Sequence, residues 1–255
     1  MMIYLRPMQS RPAERYMIIG IYGHQDAGKT VLVERLVKAL RKKKYKVASV
    51  KHTPHRKSVD CEGKDTWRHW RAGSDPVAFA SEIETVIIKH SKMPMDDVCD
   101  IISRGFGPDV LIIEGFKDGD FPKVAIGNVT TREGTVLKNP SLAELVGYIE
   151  LEVATERQVR DLPGLDCGKC GLDCRRLARA IVERKKKLED CLELPSVGVT
   201  VIIGDNKIAT GRFVSSIVSD TVRGMVSSLK GYEPGKTVEI RLDPKKRTSR
   251  TRRAR

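Results

Sequence analysis

The sequence contains no apolar run that approaches the roughly 20 residues needed for a membrane-spanning helix. Its first segment, residues 1–16, lacks the apolar core of a secretory signal peptide, and we expect it to be a short flexible leader. These two absences predict a cytoplasmic protein without a membrane partner. In that compartment, six cysteines are more typical of reduced thiols or metal ligands than of a disulfide framework.

Acidic residues are absent from the end of the chain, where the basic charge is concentrated. The net charge is +14, and the last eleven residues, KKRTSRTRRAR, contain seven basic residues and therefore supply half of it. A basic run without aromatic residues or helical periodicity is most often disordered and solubilising. We expect residues 244–255 to be such a tail, and no recognition element accompanies it that would predict a nucleic-acid partner.

The most informative segment of the chain is residues 17–40, which read as an apolar strand, a glycine-bounded loop and an amphipathic helix. Inside it, GHQDAGKT at residues 23–30 fits the Walker A pattern GxxxxGK(S/T) at every fixed position. In this motif the loop amides and the helix N-terminus surround nucleotide phosphates, Lys29 reaches the outer phosphates and the Thr30 hydroxyl ligates magnesium. The predicted nucleotide contacts are Gly23, His24, Gln25, Asp26, Ala27, Gly28, Lys29, Thr30 and Val31.

Apolar runs alternate with helical segments over residues 17–155, which is typical of a mostly parallel sheet with helices on both faces. Together with the Walker A motif, this alternation predicts an α/β fold of the P-loop NTPase class. Residues 95–103 are predicted to be helical. Further apolar runs and strand candidates are residues 45–51, 76–80, 85–89, 109–113, 124–129 and 146–153.

Ligands on such sheets bind beyond the carboxyl ends of the strands, which selects among the polar residues. Glu114 directly follows a strongly apolar run and lies on the P-loop side, whereas Asp109 begins the same strand at the opposite edge. We therefore predict that Glu114 lies near magnesium or an activating water, and that Gly115 lets the backbone approach the ligand. A solvated strand terminus is the alternative. Lys51 and His52 end another strand on this side and are expected to contact phosphate or to serve the structure.

Four segments occur in an order that resembles one protein family. They are the Walker A loop, VKH at residues 50–52 with His55, GKDTWRHWRAGS at residues 63–74, and IIEGFK at residues 112–117. Over residues 17–155 the chain resembles molybdopterin-guanine dinucleotide biosynthesis protein B (MobB). The resemblance implies a magnesium- and GTP-binding homodimer with slow GTP hydrolysis. It also implies a partner, the guanylyltransferase that joins GMP to the molybdopterin cofactor.

The same resemblance adds a second loop to the predicted nucleotide site. It implies that this loop lies next to the nucleotide and that Asp65 is a catalytic candidate beside Glu114. The sequence contains no (N/T)KxD motif, so the preference for guanine follows from the resemblance alone. The implied loop residues are Lys64, Asp65, Thr66 and Arg68.

Four of the six cysteines lie within 25 residues in the pattern C-x2-C-x3-C-x16-C, and glycines at positions 164, 168 and 171 allow a tight backbone around them. Zinc sites usually pair two short cysteine knuckles, whereas three clustered cysteines and one remote cysteine are closer to the ligation of a cubane cluster. The string LPGLDCGKCGLDC also resembles small 4Fe–4S modules of electron-transfer and corrinoid proteins. We predict a 4Fe–4S cluster, with zinc, or cysteines of a structural or redox-only role, as alternatives. The predicted ligands are Cys167, Cys170, Cys174 and Cys191.

A third unit follows Pro195. Its sequence predicts a hairpin, a helix with apolar residues at Phe213, Ile217, Val218, Val222, Met225 and Leu229, and a last strand, GKTVEIRL. This ββαβ unit is expected to pack with the cysteine module, and it resembles the tail of extended, largely archaeal members of the same family. The predicted organisation is a leader (1–16), a P-loop domain (17–155), a four-cysteine module (160–195), the ββαβ unit (196–243) and a basic tail (244–255).

Two functions fit these features. The first is a GTP-binding accessory protein of molybdenum cofactor maturation, whose cluster senses redox state or docks a partner. The second is a nucleotide-gated electron-transfer protein, in which hydrolysis controls electron delivery from the cluster. The sequence contains no second cluster motif, and its P-loop domain favours the first function.

Overall fold

A computed structural model describes residues 16–55, 57–195, 198–203 and 206–240. The basic tail, and the predicted leader apart from Tyr16, lie outside these residues. Within the described ranges, no helix combines the length and the apolar character that a membrane crossing requires.

The elements of the first 160 residues follow one another as a series of strands and helices. They are β1 (Met17–Gly23), α1 (Lys29–Lys42), β2 (Val47–Lys51), α2 (Asp65–Arg71), β3 (Val77–Ala80), β4 (Thr85–Ile88), α3 (Met95–Phe106), β5 (Val110–Glu114), β6 (Lys123–Ile126), β7 (Thr135–Lys138) and α4 (Leu142–Val159). The C-terminal part contains α5 (Cys174–Val182), a 3₁₀ turn (Leu188–Asp190), β8 (Val201–Ile203), β9 (Asn206–Ile208) and α6 (Arg212–Val226).

A five-stranded sheet in the order β2-β5-β1-β6-β7 forms the centre of the first part, and all of its strands run parallel. The central strand β5 is buried along its whole length, as expected for a parallel strand covered on both faces. Its residues alternate between the two faces. Val110 and Ile112 pack with helices α1 and α4, whereas Leu111 and Ile113 pack with Cys99 of α3. The predicted α/β architecture is therefore confirmed.

Two segments differ from the sequence prediction. Residues 146–153, predicted as a strand, form the middle of helix α4, which begins after Ser141, whose hydroxyl accepts a hydrogen bond from the Glu144 amide at 3.2 Å. The buried residues Leu145, Ile149 and Val153 recur every four positions, which is the spacing of one helix face. Packing of this face, and not the local alternation of apolar and polar residues, determines the secondary structure of the segment. Strand β7 was not predicted, because its four residues form a half-exposed edge of the sheet.

The C-terminal unit forms the predicted hairpin and helix but not the predicted last strand. Strands β8 and β9 pair antiparallel, and residues 204–205 between them lie outside the described residues. Within residues 232–240 no strand forms. Helix α6 buries Ser215 and Ser219, whereas four of its predicted apolar positions are exposed: Phe213, Ile217, Met225 and Leu229. The helix begins at Arg212, whose backbone amide donates to Glu193 of the cysteine module at 3.3 Å.

The assignment of α4 as a core helix predicts a measurable cost for truncating one of its side chains. Ile149 is fully buried against the sheet, so Ile149→Ala should destabilise the fold by about 2–5 kcal/mol through lost burial and a cavity. The matched control is Ile101→Ala in α3, whose side chain is half exposed and should cost about 0.5 kcal/mol or less. Denaturant unfolding of both variants checks this, and equal costs would show that α4 does not form the core.

Candidate functional site

The loop between β1 and α1 has the conformation that its glycines dictate. Gly28 precedes the helix with φ of 81°, a left-handed conformation that favours glycine, and the first helical hydrogen bond runs from the Leu32 amide to the Gly28 carbonyl at 3.0 Å. Among the described residues, no side chain caps this helix. Its first amides therefore face the loop and are available to an anion. The Lys29 ammonium folds back and donates to the carbonyl oxygen of His24.

The structure brings Thr30, Lys51 and Glu114 together at the carboxyl edge of the sheet. The Glu114 carboxylate is almost fully buried, and its Oε1 accepts hydrogen bonds from the Thr30 hydroxyl at 2.9 Å and from the Lys51 ammonium. Asp109 lies at the opposite edge, where it accepts hydrogen bonds from the Lys46 amide at 2.8 Å and from Arg157 at 2.7 Å. Asp109, just before β5, and Glu114, at its end, therefore lie at the two opposite edges of the sheet expected from the sequence. Of the two, only Glu114 adjoins the Walker A loop.

The structure shows a steric reason for glycine at position 115. Its φ is 95°, and a Cβ atom added there would lie 2.6 Å from the carbonyl oxygen of His52. The close passage of the neighbouring chain segment therefore requires glycine here, and the expected approach to a ligand stays a prediction. The His52 amide donates to the Glu114 carbonyl at 2.8 Å, and its ring packs edge-on against Phe116 with centroids 4.9 Å apart. These contacts favour the structural role for His52.

The loop with Asp65 is held by a residue that the sequence did not single out. Asp60 accepts a hydrogen bond from the Thr66 hydroxyl at 2.7 Å, and its other oxygen lies 3.0 Å from Nε2 of the buried His90. Asp65 itself begins α2 with its side chain 89% exposed, and it lies 3.8 Å from Arg68. Asp60 and His90 are thirty positions apart in a hairpin-containing segment, and no spacing rule relates them.

The four cysteines of the module surround a small apolar core. Cys191 is buried and packs with Leu162 and Leu177, whereas Cys170 and Cys174 are half buried and Cys167 is exposed. Burial raises the pKa of the Cys191 thiol, and the nearby thiols of the other three cysteines raise it further. The three predicted glycines have φ of 72°, 68° and 83°, which confirms their conformational role.

The four cysteines can be compared with the ligand requirements of a zinc ion and of an iron–sulfur cluster. Among the residues that the structure describes, no three His, Cys, Asp or Glu side chains are gathered closely enough to bind a single metal ion. A zinc ion needs four ligands at about 2.0–2.3 Å, whereas the ligands of a four-iron cluster stand further apart because the cluster is larger. Cys191 and the three thiols near it form an all-cysteine donor set, which is the ligand set of a 4Fe–4S cluster.

Helix α4 connects the sheet to this module through a buried carboxylate. Glu152 accepts a hydrogen bond from Arg175 at 2.8 Å and another from Arg179, and Arg175 also pairs with Glu156. Arg175 directly follows Cys174 in the chain, and Ile149, about one turn before Glu152 on α4, packs on the sheet. One helix thus belongs to both cores. Sequence reasoning missed this network because it placed Glu152 in a strand.

These features together define an α/β protein with a P-loop motif at the carboxyl edge of its sheet and a four-cysteine module behind it. The family described as "Molybdopterin guanine dinucleotide synthesis protein B" (MobB) matches residues 18–147, and the family described as "Putative Fe-S cluster" matches residues 162–192. The chain belongs to the MobB family. The second match supports an iron–sulfur cofactor in the C-terminal part.

Individual relatives extend this finding. The "Putative molybdopterin-guanine dinucleotide biosynthesis adapter protein" of Methanocaldococcus jannaschii is 30% identical over 239 residues, covering 90% of this chain and 98% of that protein. The "Molybdopterin-guanine dinucleotide biosynthesis adapter protein" of Haemophilus influenzae is 34% identical over 112 residues, covering 43% of this chain and 62% of that protein. The crystal structure of Bacillus subtilis MobB covers 48% of this chain and 89% of its own, at 22% identity and a TM-score of 0.40.

The α4–α5 network predicts a local effect of neutralising Glu152. In Glu152→Gln the charge that pairs with two arginines is lost, so α5 should detach more often, at a cost of roughly 1–3 kcal/mol. The arginines are half exposed, and screening by solvent favours the lower end of that range. Hydrogen exchange of the α5 amides measures this. Glu150→Gln is the matched control, because Glu150 lies on the same helix but pairs with the exposed Lys43. Unchanged α5 exchange in Glu152→Gln would contradict the role of the network.

Proposed function

We propose that the protein is a GTP-binding adapter of molybdopterin guanine dinucleotide biosynthesis that carries a 4Fe–4S cluster. Membership of the MobB family supports the pathway, and two relatives are named as adapter proteins of it. The observation that carries the nucleotide part is the hydrogen bond from Thr30 to the buried Glu114 beside the Walker A loop. The preference for guanine rests on the family.

Different residues of the Walker A loop bind different parts of a triphosphate and its magnesium ion. The amides of residues 24–30 and the N-terminus of α1 bind the phosphate oxygens. Lys29, which donates to a carbonyl of its own loop, transfers its ammonium to the outer phosphates. A magnesium ion, when bound, neutralises phosphate charge and is held by the Thr30 hydroxyl oxygen. Glu114 accepts a hydrogen bond from that hydroxyl and so fixes the direction of its lone pairs.

Hydrolysis by this arrangement is proposed to be slow. Glu114 is the one acidic side chain that the structure places in contact with the Walker A threonine, among the described residues. It serves the metal or an attacking water. Asp65 points to solvent and contributes only if the loop that begins at Asp60 moves toward the nucleotide. Slow turnover suits an adapter, whose task is to present a nucleotide or a partner rather than to consume GTP.

The proposed partners are the guanylyltransferase of the pathway, its molybdopterin cofactor and a second copy of this chain. The β3–β4 hairpin exposes several large apolar side chains, including Phe79, Ile83 and Ile87, and exposed apolar surface of this kind is typical of interaction sites, which supports a homodimer. Family membership favours this adapter function over nucleotide-gated electron transfer, because none of the relatives named above is described as an electron-transfer protein.

Replacing the P-loop lysine tests the nucleotide part. In Lys29→Ala the charge that neutralises the outer phosphates is removed, so GTP affinity should fall at least about tenfold, equivalent to about 1.4 kcal/mol. Titration calorimetry with GTP and magnesium measures this. Lys43→Ala, which removes an exposed lysine at the opposite end of α1, should bind GTP like the unmodified protein. Equal affinity in Lys29→Ala and Lys43→Ala would refute the site, and equal affinity for ATP would refute the guanine preference.

Two exposed cysteines provide a matched test of the cluster. Cys61 and Cys167 are both exposed, but only Cys167 is a proposed ligand. In anaerobic, iron-loaded protein, iodoacetamide should modify Cys167 at least about tenfold more slowly than Cys61, because a ligated thiolate is withdrawn from reaction. After iron is chelated, Cys167 should react like Cys61, and the buried Cys191 should react more slowly than either. Mass spectrometry follows each site. Equal rates at Cys61 and Cys167 in iron-loaded protein would contradict the cluster assignment.

A further inference from the structure

The Lys51 ammonium is the charged partner of the buried Glu114 carboxylate. The Glu114 side chain is 8% exposed, and its Oε1 receives both the Thr30 hydroxyl and the Lys51 ammonium. The hydroxyl supplies a hydrogen bond but no charge. A buried carboxylate without a counter-ion is costly, so the ion pair with Lys51 offsets the cost of burying Glu114.

The position of Lys51 follows from the sheet. Lys51 and Glu114 are register partners on the neighbouring parallel strands β2 and β5, so their side chains leave the sheet side by side. The two partners differ in exposure, since the Lys51 side chain is 62% exposed. The ammonium therefore approaches the carboxylate from solvent, and it can return to solvent without a desolvation cost.

The Lys51 ammonium already neutralises the carboxylate of Glu114, which a divalent cation bound at Thr30 would also need as a partner. Two cations near one carboxylate oxygen repel each other, and the partial burial of the site makes that repulsion stronger than in bulk water. A cation held by Thr30 therefore competes with the ammonium of Lys51 for the same carboxylate. Nucleotide phosphates change this balance, because they offer the ammonium another anion close by.

We propose that Lys51 is a removable counter-ion of Glu114 that makes magnesium binding depend on nucleotide. Without nucleotide, the ammonium neutralises Glu114 and keeps divalent cations from it. With a triphosphate in the loop, the ammonium passes from the carboxylate to phosphate oxygen, and Glu114 becomes free for the metal and its water. This inference rests on the proposed nucleotide site and assigns to Lys51 a positioning role beyond phosphate contact.

The experiment measures metal binding to nucleotide-free protein, with Mn²⁺ as the probe because it prefers the same oxygen ligands as Mg²⁺ and is detected by electron paramagnetic resonance. In Lys51→Met, Mn²⁺ affinity should rise at least about tenfold over the unmodified protein. Lys51→Arg keeps the charge and should bind Mn²⁺ as weakly as the unmodified protein. The double variant Lys51→Met with Glu114→Gln should lose the gain, because the carboxylate that Lys51 shields is gone.

Lys43→Met is the matched control. Lys43 also forms an ion pair with a glutamate, Glu150 at 2.9 Å, but far from the loop in sequence and without contact to Thr30, so Mn²⁺ affinity should not change. Should Lys51→Met fail to fold by circular dichroism, Lys51→Gln takes its place, since it keeps a hydrogen-bond donor without the charge.

The outcomes separate this inference from the function on which it rests. If the unmodified protein binds magnesium and GTP but Lys51→Met gains no Mn²⁺ affinity, the counter-ion role is refuted and the nucleotide site stands. If Lys51→Arg gains as much as Lys51→Met, geometry and not charge is responsible, and the inference is again refuted. If the unmodified protein does not bind GTP with magnesium at all, the proposed function fails first.

Discussion

A carboxylate buried at the end of a central strand must be hydrogen-bonded and neutralised, and this requirement at Glu114 organises the candidate nucleotide site. The strand places Glu114 between β1, which leads into the Walker A loop, and β2, which ends at Lys51. Helix α1 then brings the Thr30 hydroxyl to the same oxygen. Loop, strand end and helix N-terminus therefore meet because one buried charge requires partners from each of them.

A second buried carboxylate has the corresponding role on the far side of the core. Glu152 receives two arginines from α5, and one of them adjoins the cluster ligand candidate Cys174. Since α4 also packs on the sheet with α1, a rigid path of packed side chains runs from the cysteine module to the helix that begins at the P-loop. Such contact alone does not establish coupling between the sites, but it gives coupling a physical route. In this respect the P-loop domain and the cysteine module are less separate than their sequence boundaries indicate.

Much of the fold was predictable because its signals are local. The Walker A loop, the apolar run before Glu114 and the cysteine spacing each lie within a few tens of residues, and the structure places Glu114 and the three module glycines as the sequence predicted. The rule of strand carboxyl ends selected Glu114 and Lys51, and the structure places both at that edge because strand direction sets position in a parallel sheet. Their roles toward a nucleotide stay predictions.

The remaining features depend on contacts between distant residues. Residues 146–153 alternate enough to resemble a strand, and only their packing on the sheet and on α5 shows the helical period. The pairing of Asp60 with His90 and of Glu152 with Arg179 joins residues that no motif relates. The apolar face of α6 has the pattern of a core helix, yet in the described residues it faces solvent. Periodicity identifies a helix, but it does not identify what covers the helix.

The central claim is that one chain holds a guanine nucleotide and an iron–sulfur cluster at two linked sites. The most direct test is the metal and nucleotide content of the full chain purified without oxygen. We expect about four irons per chain, with matching sulfide and broad visible absorption, together with guanine nucleotide that is released on denaturation. Stoichiometric zinc without iron, in protein that retains no guanine nucleotide and does not bind added GTP with magnesium, would contradict the account.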